Sequence, residues 1–193
     1  MLLFVSCKQG SSTYSTMPTF TEKGGINVII EIPAGTNEKT EYNYSKKRFE
    51  VEEVEGKKRS IDFLPYPGNY GFIPSTYMDP EKGGDGDALD VLVLSETLKR
   101  GTIIEVKPLA ILELLDDGEI DSKIIAIPID TSLQIINARD YITFMVKYNA
   151  AQQIIQNWFL NYKGVGEMEF ISWKNDVAAM AEIERWATEE EEE

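Results

Sequence analysis

Histidine is absent from this 193-residue sequence, and cysteine occurs once. Without histidine, a Ser-His-Asp triad, a Cys-His pair and a zinc site built on imidazole are excluded. The single cysteine, Cys7, excludes an intramolecular disulfide and a CxxC metal site. Catalysis must therefore use carboxylates, lysines, arginines, tyrosines or hydroxyls, and a hard cation held by acidic side chains becomes the leading idea.

Basic residues and long apolar runs are also scarce. Nineteen Lys and Arg stand against 33 Asp and Glu, which gives a formal net charge of −14. Such an acidic surface repels nucleic-acid phosphates, so we expect no nucleic-acid partner. No window approaches the roughly 18 consecutive apolar residues of a transmembrane helix, so we expect no membrane span. The length favours one domain with a core of its own.

The first apolar stretch of the sequence is followed by Ser6 and Cys7, and Val5-Ser6-Cys7 is similar to a bacterial lipoprotein cleavage box. A secretory signal has an apolar stretch of roughly 7–15 residues, and here the stretch after Met1 is only Leu2–Val5. We therefore expect residues 1–23 to be a flexible extension of a cytoplasmic protein. If the true start lies upstream, the alternative is a periplasmic or membrane-anchored lipoprotein, lipidated at Cys7. Residues 24–188 would form the domain, and the glutamates of 189–193 a solvated acidic tail.

The hydrophobic pattern predicts strands first and helices late. Apolar or alternating runs predict strands at residues 27–33, 40–44, 49–54, 89–94, 103–115, 124–129 and 167–173. Asp116-Asp-Gly118 is a hairpin signal, and the Pro- and Gly-rich segments 63–71 and 80–86 are typical of loops. Helical spacing predicts helices over 151–162 and, after an Asn175 cap, through Trp186. This order indicates an α+β, mainly β fold: a closed or nearly closed barrel with helices outside.

Three carboxylates within six residues, Asp85-Gly-Asp-Ala-Leu-Asp90, precede an apolar strand. Carboxylates that converge raise one another's pKa, and a divalent cation removes this conflict. An EF-hand is rejected because Leu89 and Asp90 occupy its fifth and sixth positions, where Asp or Asn and the turn glycine belong. Taken alone, a polar loop before a strand remains the commoner explanation of such a match.

A second acidic segment runs from Asp116 to Lys123. Asp116 and Asp117 read most simply as turn residues. Asp121 and Lys123 would share one face of a strand, where they suit either a metal-bound phosphate or a surface ion pair of little energetic value. The basic residues near the predicted strands (Lys39, Lys57, Lys58, Arg59, Lys107 and Lys163) are each ordinary exposed cations unless the fold gathers them around a phosphate.

The Asp85–Asp90 segment resembles the D-x-D-x-x-D signature of the soluble, magnesium-dependent inorganic pyrophosphatases of family I. Five further blocks resemble that family and occur in its order: Ile30-Glu-Ile-Pro33, Lys39-Thr-Glu41, Tyr66-Pro-Gly-Asn-Tyr-Gly-Phe-Ile-Pro74, Asp116–Lys123 and Tyr162-Lys163. The resemblance covers residues 26–187. It implies Mg²⁺-dependent hydrolysis of pyrophosphate to two orthophosphates on a five-stranded OB-like barrel with flanking C-terminal helices. It also implies a homo-oligomer, a hexamer or a dimer, and several metal ions per site, with Mn²⁺ or Zn²⁺ as substitutes.

The resemblance also implies a role for each matching residue. Asp87 would accept the proton of the attacking water. The high-affinity metal would be held by Asp85, Asp90 and Asp121, and further metals by Asp116, Asp117 and Glu31. Phosphate would be bound by Lys39, Arg59, Tyr70, Lys123, Tyr162 and Lys163, with Glu41 and Lys107 in support. An ungapped alignment would place Lys58 instead of Arg59 at the arginine position.

Two other functions stay open at this stage. A hydrolase of larger phosphoanhydrides, such as nucleoside triphosphates or polyphosphate, would use similar groups, although no GxxxxGK[ST] phosphate loop is present. An OB-type binding module could use the acidic loop as a structural metal site, although the net charge opposes binding to nucleic-acid strands.

Overall fold

The computed structural model describes residues 14–188, so Cys7 and the acidic tail lie outside the described residues. The strands are β1 (Ile26–Ile32), β2 (Thr40–Asn43), β3 (Arg48–Val51), β4 (Glu53–Val54), β5 (Lys57–Lys58), β6 (Asn69–Phe72), β7 (Asp90–Val93), β8 (Ile103–Asp116), β9 (Glu119–Pro128) and β10 (Met168–Asn175). The α-helices are α1 (Tyr141–Lys147), α2 (Asn149–Asn161) and α3 (Asp176–Trp186).

Five strands close into a ring in the order β1, β6, β7, β9 and β8, because β8 pairs again with β1. The pairings are antiparallel except that of β7 with β9, which is parallel. The long strand β8 first borders β1 and then, further along, β10, while β9 pairs with most of its other edge. The predicted mainly β fold, with a five-stranded OB-like barrel and flanking helices, is confirmed.

The barrel strands are apolar on both faces because each face meets a different core. Alternate residues of β7 and β9 belong to two clusters: Leu92 and Ile125 to one, Val91 and Ile124 to the other. Residues of α1 and α2, such as Phe144 and Trp158, complete the first cluster, and residues of α3 complete the second. The near-continuous apolar runs in the sequence follow from this two-sided burial.

Helix α3 begins where the sequence predicted, since the Asn175 side chain accepts a hydrogen bond from the Ala178 N–H. Helix α1 was missed, because it has seven residues and buries only Phe144. No helix within residues 14–188 is long and apolar enough to cross a membrane.

Strand β6 overlaps the end of the segment 63–71, which was predicted to be a loop. It is fully buried. A Cβ on its Gly71 would lie 1.9 Å from the Ile29 carbonyl oxygen. The glycine therefore serves close packing of β6 against β1 and does not mark a turn.

Residues 14–23, expected to be part of a flexible extension, pack on the domain. The Thr19 hydroxyl donates to the Pro74 carbonyl at 2.8 Å, and the Tyr14 hydroxyl donates to the Gly101 carbonyl at 3.1 Å. The Tyr14 ring also lies edge-on to Tyr42 at 4.9 Å. Residues 14–23 show neither the helix nor the strand period of apolar residues, so the sequence alone did not predict these contacts.

Candidate active site

One polar pocket of about 180 Å³ gathers residues from segments far apart in the sequence. It is lined by Lys39, Glu41, Glu52, Arg59, Tyr70, Asp85, Asp87, Asp90, Asp116, Glu119, Ile120, Asp121, Lys123, Tyr162 and Lys163. All the predicted site residues except Glu31, Asp117 and Lys107 are therefore in this one place.

The parallel pairing of β7 with β9 builds the centre of the pocket. Asp90 on β7 is the register partner of Lys123 on β9. Asp121 lies two residues before Lys123, so both side chains point to the same face, as the spacing predicts. The Lys123 ammonium lies between the two carboxylates and donates to both.

Lys123 is the most buried of the paired charged side chains in the pocket. The side chain of Lys123 is 4% exposed, against 11% for Asp121 and 25% for Asp90. Burial by itself would lower the pKa of Lys123, but the charges of Asp121 and Asp90 outweigh it and raise that pKa well above its ordinary value. Lys123 therefore stays cationic, and its charge offsets part of the repulsion between the two acids.

The loop before β7 presents Asp85 and Asp87 to the pocket. The Asp87 N–H donates to the Asp85 carboxylate at 3.0 Å, and Gly86 between them has a φ of 87°, which favours glycine. Partial burial, followed by the charge of neighbouring acids such as Asp90, raises the pKa of both carboxyl groups. A nearby cation would relieve this conflict.

Each of the four cations in the pocket is paired with a carboxylate. Besides Lys123, the Lys163 ammonium contacts Asp116, Lys39 lies 2.9 Å from Glu41, and Arg59 lies 2.9 Å from Glu52. The pairs Lys163–Asp116 and Lys39–Glu41 join residues that the sequence had assigned separately to phosphate, metal or support. The pocket therefore holds opposite charges side by side, as a site for an anion and its cations requires.

Two tyrosines complete the wall. Tyr70 on β6 is buried, and its ring centroid lies 5.7 Å from the Lys123 ammonium. Burial raises the pKa of Tyr70 well above its ordinary value, so its hydroxyl stays protonated. The Tyr162 ring stacks on Trp158 of α2 at 4.8 Å, and burial raises its pKa as well. Both hydroxyls are therefore hydrogen-bond donors at neutral pH.

Glu31 lines an adjoining cavity of about 170 Å³, which it shares with Asp87, Asp90 and the unpredicted Tyr44. Its carboxylate is buried and accepts a hydrogen bond from the Tyr42 N–H at 2.6 Å. Burial raises the pKa of Glu31 to about 8, against the smaller opposing effect of that hydrogen bond. Glu31 therefore lines the adjoining cavity and does not line the main pocket.

Two predicted residues lie away from both cavities. Lys107 is exposed and donates to the Arg139 carbonyl at 2.7 Å, so the geometry gives no support to its predicted assistance in phosphate binding. Asp117 is exposed in the β8–β9 turn with a φ of 51°, which fits the alternative assignment of a turn residue. The β8–β9 hairpin itself forms as its Asp-Gly signal predicts.

The β4–β5 hairpin bears on the choice between Lys58 and Arg59. Adjacent residues on a strand point to opposite faces. Arg59 lines the polar pocket, whereas Lys58 lines only a neighbouring cleft along the β2–β3 hairpin, which we call the outer cleft. The geometry therefore favours Arg59 at the arginine position.

The residues not predicted from the sequence include Glu52, Glu119 and Ile120 in the main pocket and Tyr44 in the adjoining cavity. A signal for Glu52 does exist, because acidic residues precede Glu55-Gly56 and basic residues follow it in mirror order. Such symmetry about a Gly turn indicates cross-strand ion pairs in a hairpin. The other three carry no comparable local pattern.

The donor set fits a hard divalent cation. Carboxylate oxygens are the ligands that Mg²⁺ prefers in proteins, and the gap between Asp90 and Asp121 already receives a cationic group, the Lys123 ammonium. Between residues 14 and 188 no three acidic side chains converge as a preformed cage. Two of the acids, Asp90 and Asp121, instead contact the Lys123 ammonium.

Comparison with known proteins gives one consistent result. The family model described as inorganic pyrophosphatase matches residues 28–191. The inorganic pyrophosphatase of Neisseria meningitidis serogroup B is 34% identical over 180 residues, which cover 88% of this chain and 93% of that protein. The inorganic pyrophosphatase of Synechocystis is 31% identical and covers 88% of this chain and 94% of that protein.

Solved structures agree with this comparison. The crystal structure of an inorganic pyrophosphatase from Neisseria gonorrhoeae matches with a TM-score of 0.72 and 30% identity, over 90% of this chain and 96% of that chain. The inorganic pyrophosphatase of Schistosoma japonicum matches with a TM-score of 0.78 and 29% identity, over 89% of this chain and 68% of that chain.

Proposed function

Because this chain belongs to the inorganic pyrophosphatase family, it is a diphosphatase that hydrolyses pyrophosphate, and we propose that it does so with Mg²⁺ and by direct attack of water. A single observation supports this mechanism: one pocket holds Asp85, Asp87, Asp90 and Asp121 together with four cations and two tyrosine hydroxyls. A multiply charged anion and its metal ions need both kinds of group at once.

Asp85, Asp90 and Asp121 would hold the high-affinity metal, with Asp116 at the edge of the pocket and Glu31 in the adjoining cavity. Bound divalent ions lower the pKa of water and neutralise phosphate charge. The ammonium of Lys123, which contacts Asp90 and Asp121, would then turn to phosphate oxygens. Lys163, held by Asp116, would do the same.

Asp87 would be the general base. It lines both cavities, and no cation is paired with it among the described residues, so its carboxylate oxygens are free to accept a proton. No covalent enzyme intermediate is required, which agrees with the absence of histidine.

The phosphate groups would be bound by the cations and hydroxyls on the remaining walls. They are the side chains of Lys39, Arg59, Lys123, Tyr162 and Lys163, all of which line the pocket. Charged donors around a leaving phosphate stabilise the negative charge that develops on it, which is the largest contribution in this type of reaction. Tyr70 would donate from the floor.

The experiment is an assay of phosphate released from pyrophosphate, ATP and tripolyphosphate. We expect hydrolysis of pyrophosphate with Mg²⁺, loss of activity in EDTA, recovery on re-addition of Mg²⁺, and inhibition by Ca²⁺. A preference for ATP or tripolyphosphate would favour the alternative phosphoanhydride hydrolase instead. Nucleic-acid binding without phosphate release would favour the OB-type binding module.

Three further points stay predictions. A homo-oligomer, hexamer or dimer, is checked by light scattering of the purified protein. Cytoplasmic localisation, against lipidation of Cys7, is checked by fractionation and mass spectrometry of the native protein. Substitution of Mn²⁺ or Zn²⁺ for Mg²⁺ is checked in the same phosphate assay.

A further inference from the structure

Three acidic residues of the pocket are neither predicted metal ligands nor the predicted general base: Glu41, Glu52 and Glu119. Of these, Glu52 is the one paired with an arginine. The Arg59 Nη1 group donates to both carboxylate oxygens of Glu52, at 2.9 Å each. Both side chains are 28% exposed. The pair is thus half-buried at the pocket wall, where screening by water is weaker than on an open surface.

The backbone fixes this pair as well. The Lys39 N–H donates to the Arg59 carbonyl at 3.1 Å, the Glu52 N–H to the Lys39 carbonyl at 3.0 Å, and the Arg59 N–H to the Glu52 carbonyl at 2.7 Å. These three bonds form a closed cycle. The main chains that carry two phosphate-binding cations and Glu52 are therefore one unit.

The short hairpin between Glu52 and Arg59 sets their register. Glu53 pairs with Lys58 and Val54 with Lys57, so Glu52 and Arg59 are the next opposite pair. The turn residues Glu55 and Gly56 have φ angles of 54° and 74°, which is the pattern of a two-residue type I′ turn. This turn keeps the strands in one register and the two side chains on one face.

A guanidinium group has five N–H donors, and Glu52 uses only those of Nη1. Within residues 14–188, no hydrogen bond joins Nε or Nη2 of Arg59 to another residue. The unused edge matches two oxygens of a phosphate, which guanidinium binds in a bidentate manner. Glu52 therefore occupies one end of the guanidinium and leaves a fork for the substrate.

We propose that Glu52 is a positioning residue, which holds the Arg59 guanidinium at the pocket wall so that its free edge binds a phosphate of pyrophosphate. This inference rests on the proposed function. Glu52 differs from Asp90, Asp121 and Asp116 in what happens to its partner. Those acids would exchange their cations for metal ions, whereas Glu52 would keep Arg59 throughout the reaction.

The test compares Glu52→Gln with Glu50→Gln in Mg²⁺-dependent pyrophosphate hydrolysis. Glu50 is a matched control, because it also binds an arginine, Arg48 at 2.5 Å, but lines only the outer cleft. We expect Glu52→Gln to raise KM roughly 5- to 20-fold with kcat within about twofold, because the amide cannot hold the guanidinium as a carboxylate does. Glu50→Gln should leave both constants within about 1.5-fold.

Two further variants separate positioning from a general structural role. Glu52→Asp keeps the carboxylate and should bring KM back to within about threefold of the wild-type value. The Kd of imidodiphosphate with Mg²⁺ completes a double-mutant cycle: in the Arg59→Gln background, Glu52→Gln should weaken binding less than about twofold further. If Glu52→Gln fails to fold, Glu52→Asp carries the test, because a KM more than about threefold above the wild-type value would contradict the positioning role.

The opposite results would overturn the inference. The first is a Glu52→Gln variant with the same KM and kcat as Glu50→Gln. The second is a KM below the wild-type value. The third is a loss of imidodiphosphate affinity from Glu52→Gln that is as large in the Arg59→Gln background as in the wild type. Absence of Mg²⁺-dependent hydrolysis in the wild-type protein would instead overturn the proposed function. Unchanged kinetics of Glu52→Gln beside an active wild type would overturn the positioning role alone.

Discussion

Lys123→Met is the substitution whose effect on stability the structure specifies most directly. Methionine has a length close to that of the lysine stem, so the change removes the ammonium and keeps most of the packing. The carboxylates of Asp121 and Asp90, 11% and 25% exposed, would lose their shared cation. Removing one partner of a buried ion pair costs about 3–5 kcal/mol, because the remaining charge is buried without compensation.

This loss is measurable because domains are only marginally stable. A reduction of the unfolding free energy by ~3–5 kcal/mol is a large part of a typical 5–15 kcal/mol. At about 2–4 °C per kcal/mol for a domain of this size, Tm should fall by roughly 6–20 °C. The assay is urea unfolding in EDTA, followed by the fluorescence of Trp158, Trp173 and Trp186.

A surface ion pair provides the control. Lys82 lies 3.5 Å from Asp79, and the two side chains are 67% and 28% exposed. Lys82→Met should therefore cost no more than about 1 kcal/mol. Adding Mg²⁺ should stabilise Lys123→Met more than the wild type, because a cation then meets two unpaired acids and binding to the folded state raises its stability. A loss below about 1 kcal/mol for Lys123→Met in EDTA would refute the reasoning.

Two other changes test catalysis and folding. Asp87→Asn should lower kcat by roughly 10²–10⁴ with an unchanged circular dichroism spectrum, as expected for the loss of a general base. Asp62→Asn, at an exposed position, should leave kcat unchanged. Equal kcat values for the two variants in the phosphate assay would show that Asp87 is not the general base. Gly71→Ala should lower the unfolding free energy by about 3 kcal/mol or more, because its Cβ would lie 1.9 Å from the Ile29 carbonyl oxygen. The control Gly24→Ala has no atom within 4 Å and should cost about 1 kcal/mol from its φ of 79°. Urea unfolding compares the two variants, and equal costs would contradict the close-packing explanation.

Much of the architecture follows from local sequence patterns. Two-sided burial makes residues 91–93 of β7 and 124–127 of β9 continuous apolar runs. The 3.6-residue period of α2 is visible because one face of the helix packs on the barrel. The Asp-Gly turn after β8 and the Asn175 cap before α3 depend on adjacent residues only. These signals are local, so they can be read without knowledge of the tertiary structure.

The ordered blocks also predicted most of the pocket, including Asp85, Asp90 and Lys123. Composition narrowed the chemistry further, because a chain without histidine must rely on carboxylates and cations. What the blocks could not supply is pairing. Which acid holds which cation depends on the parallel register of β7 with β9 and on the path of each loop, and both are set by long-range contacts.

Tertiary structure alone decided the remaining cases. It separated Lys107 from the pocket, turned Arg59 inward and Lys58 outward, and brought Glu52 to Arg59 through a hairpin register. A single sequence records residue types and spacings, whereas the face to which a side chain points depends on register. A shift by one residue in a strand reverses that face, so these assignments required the folded chain.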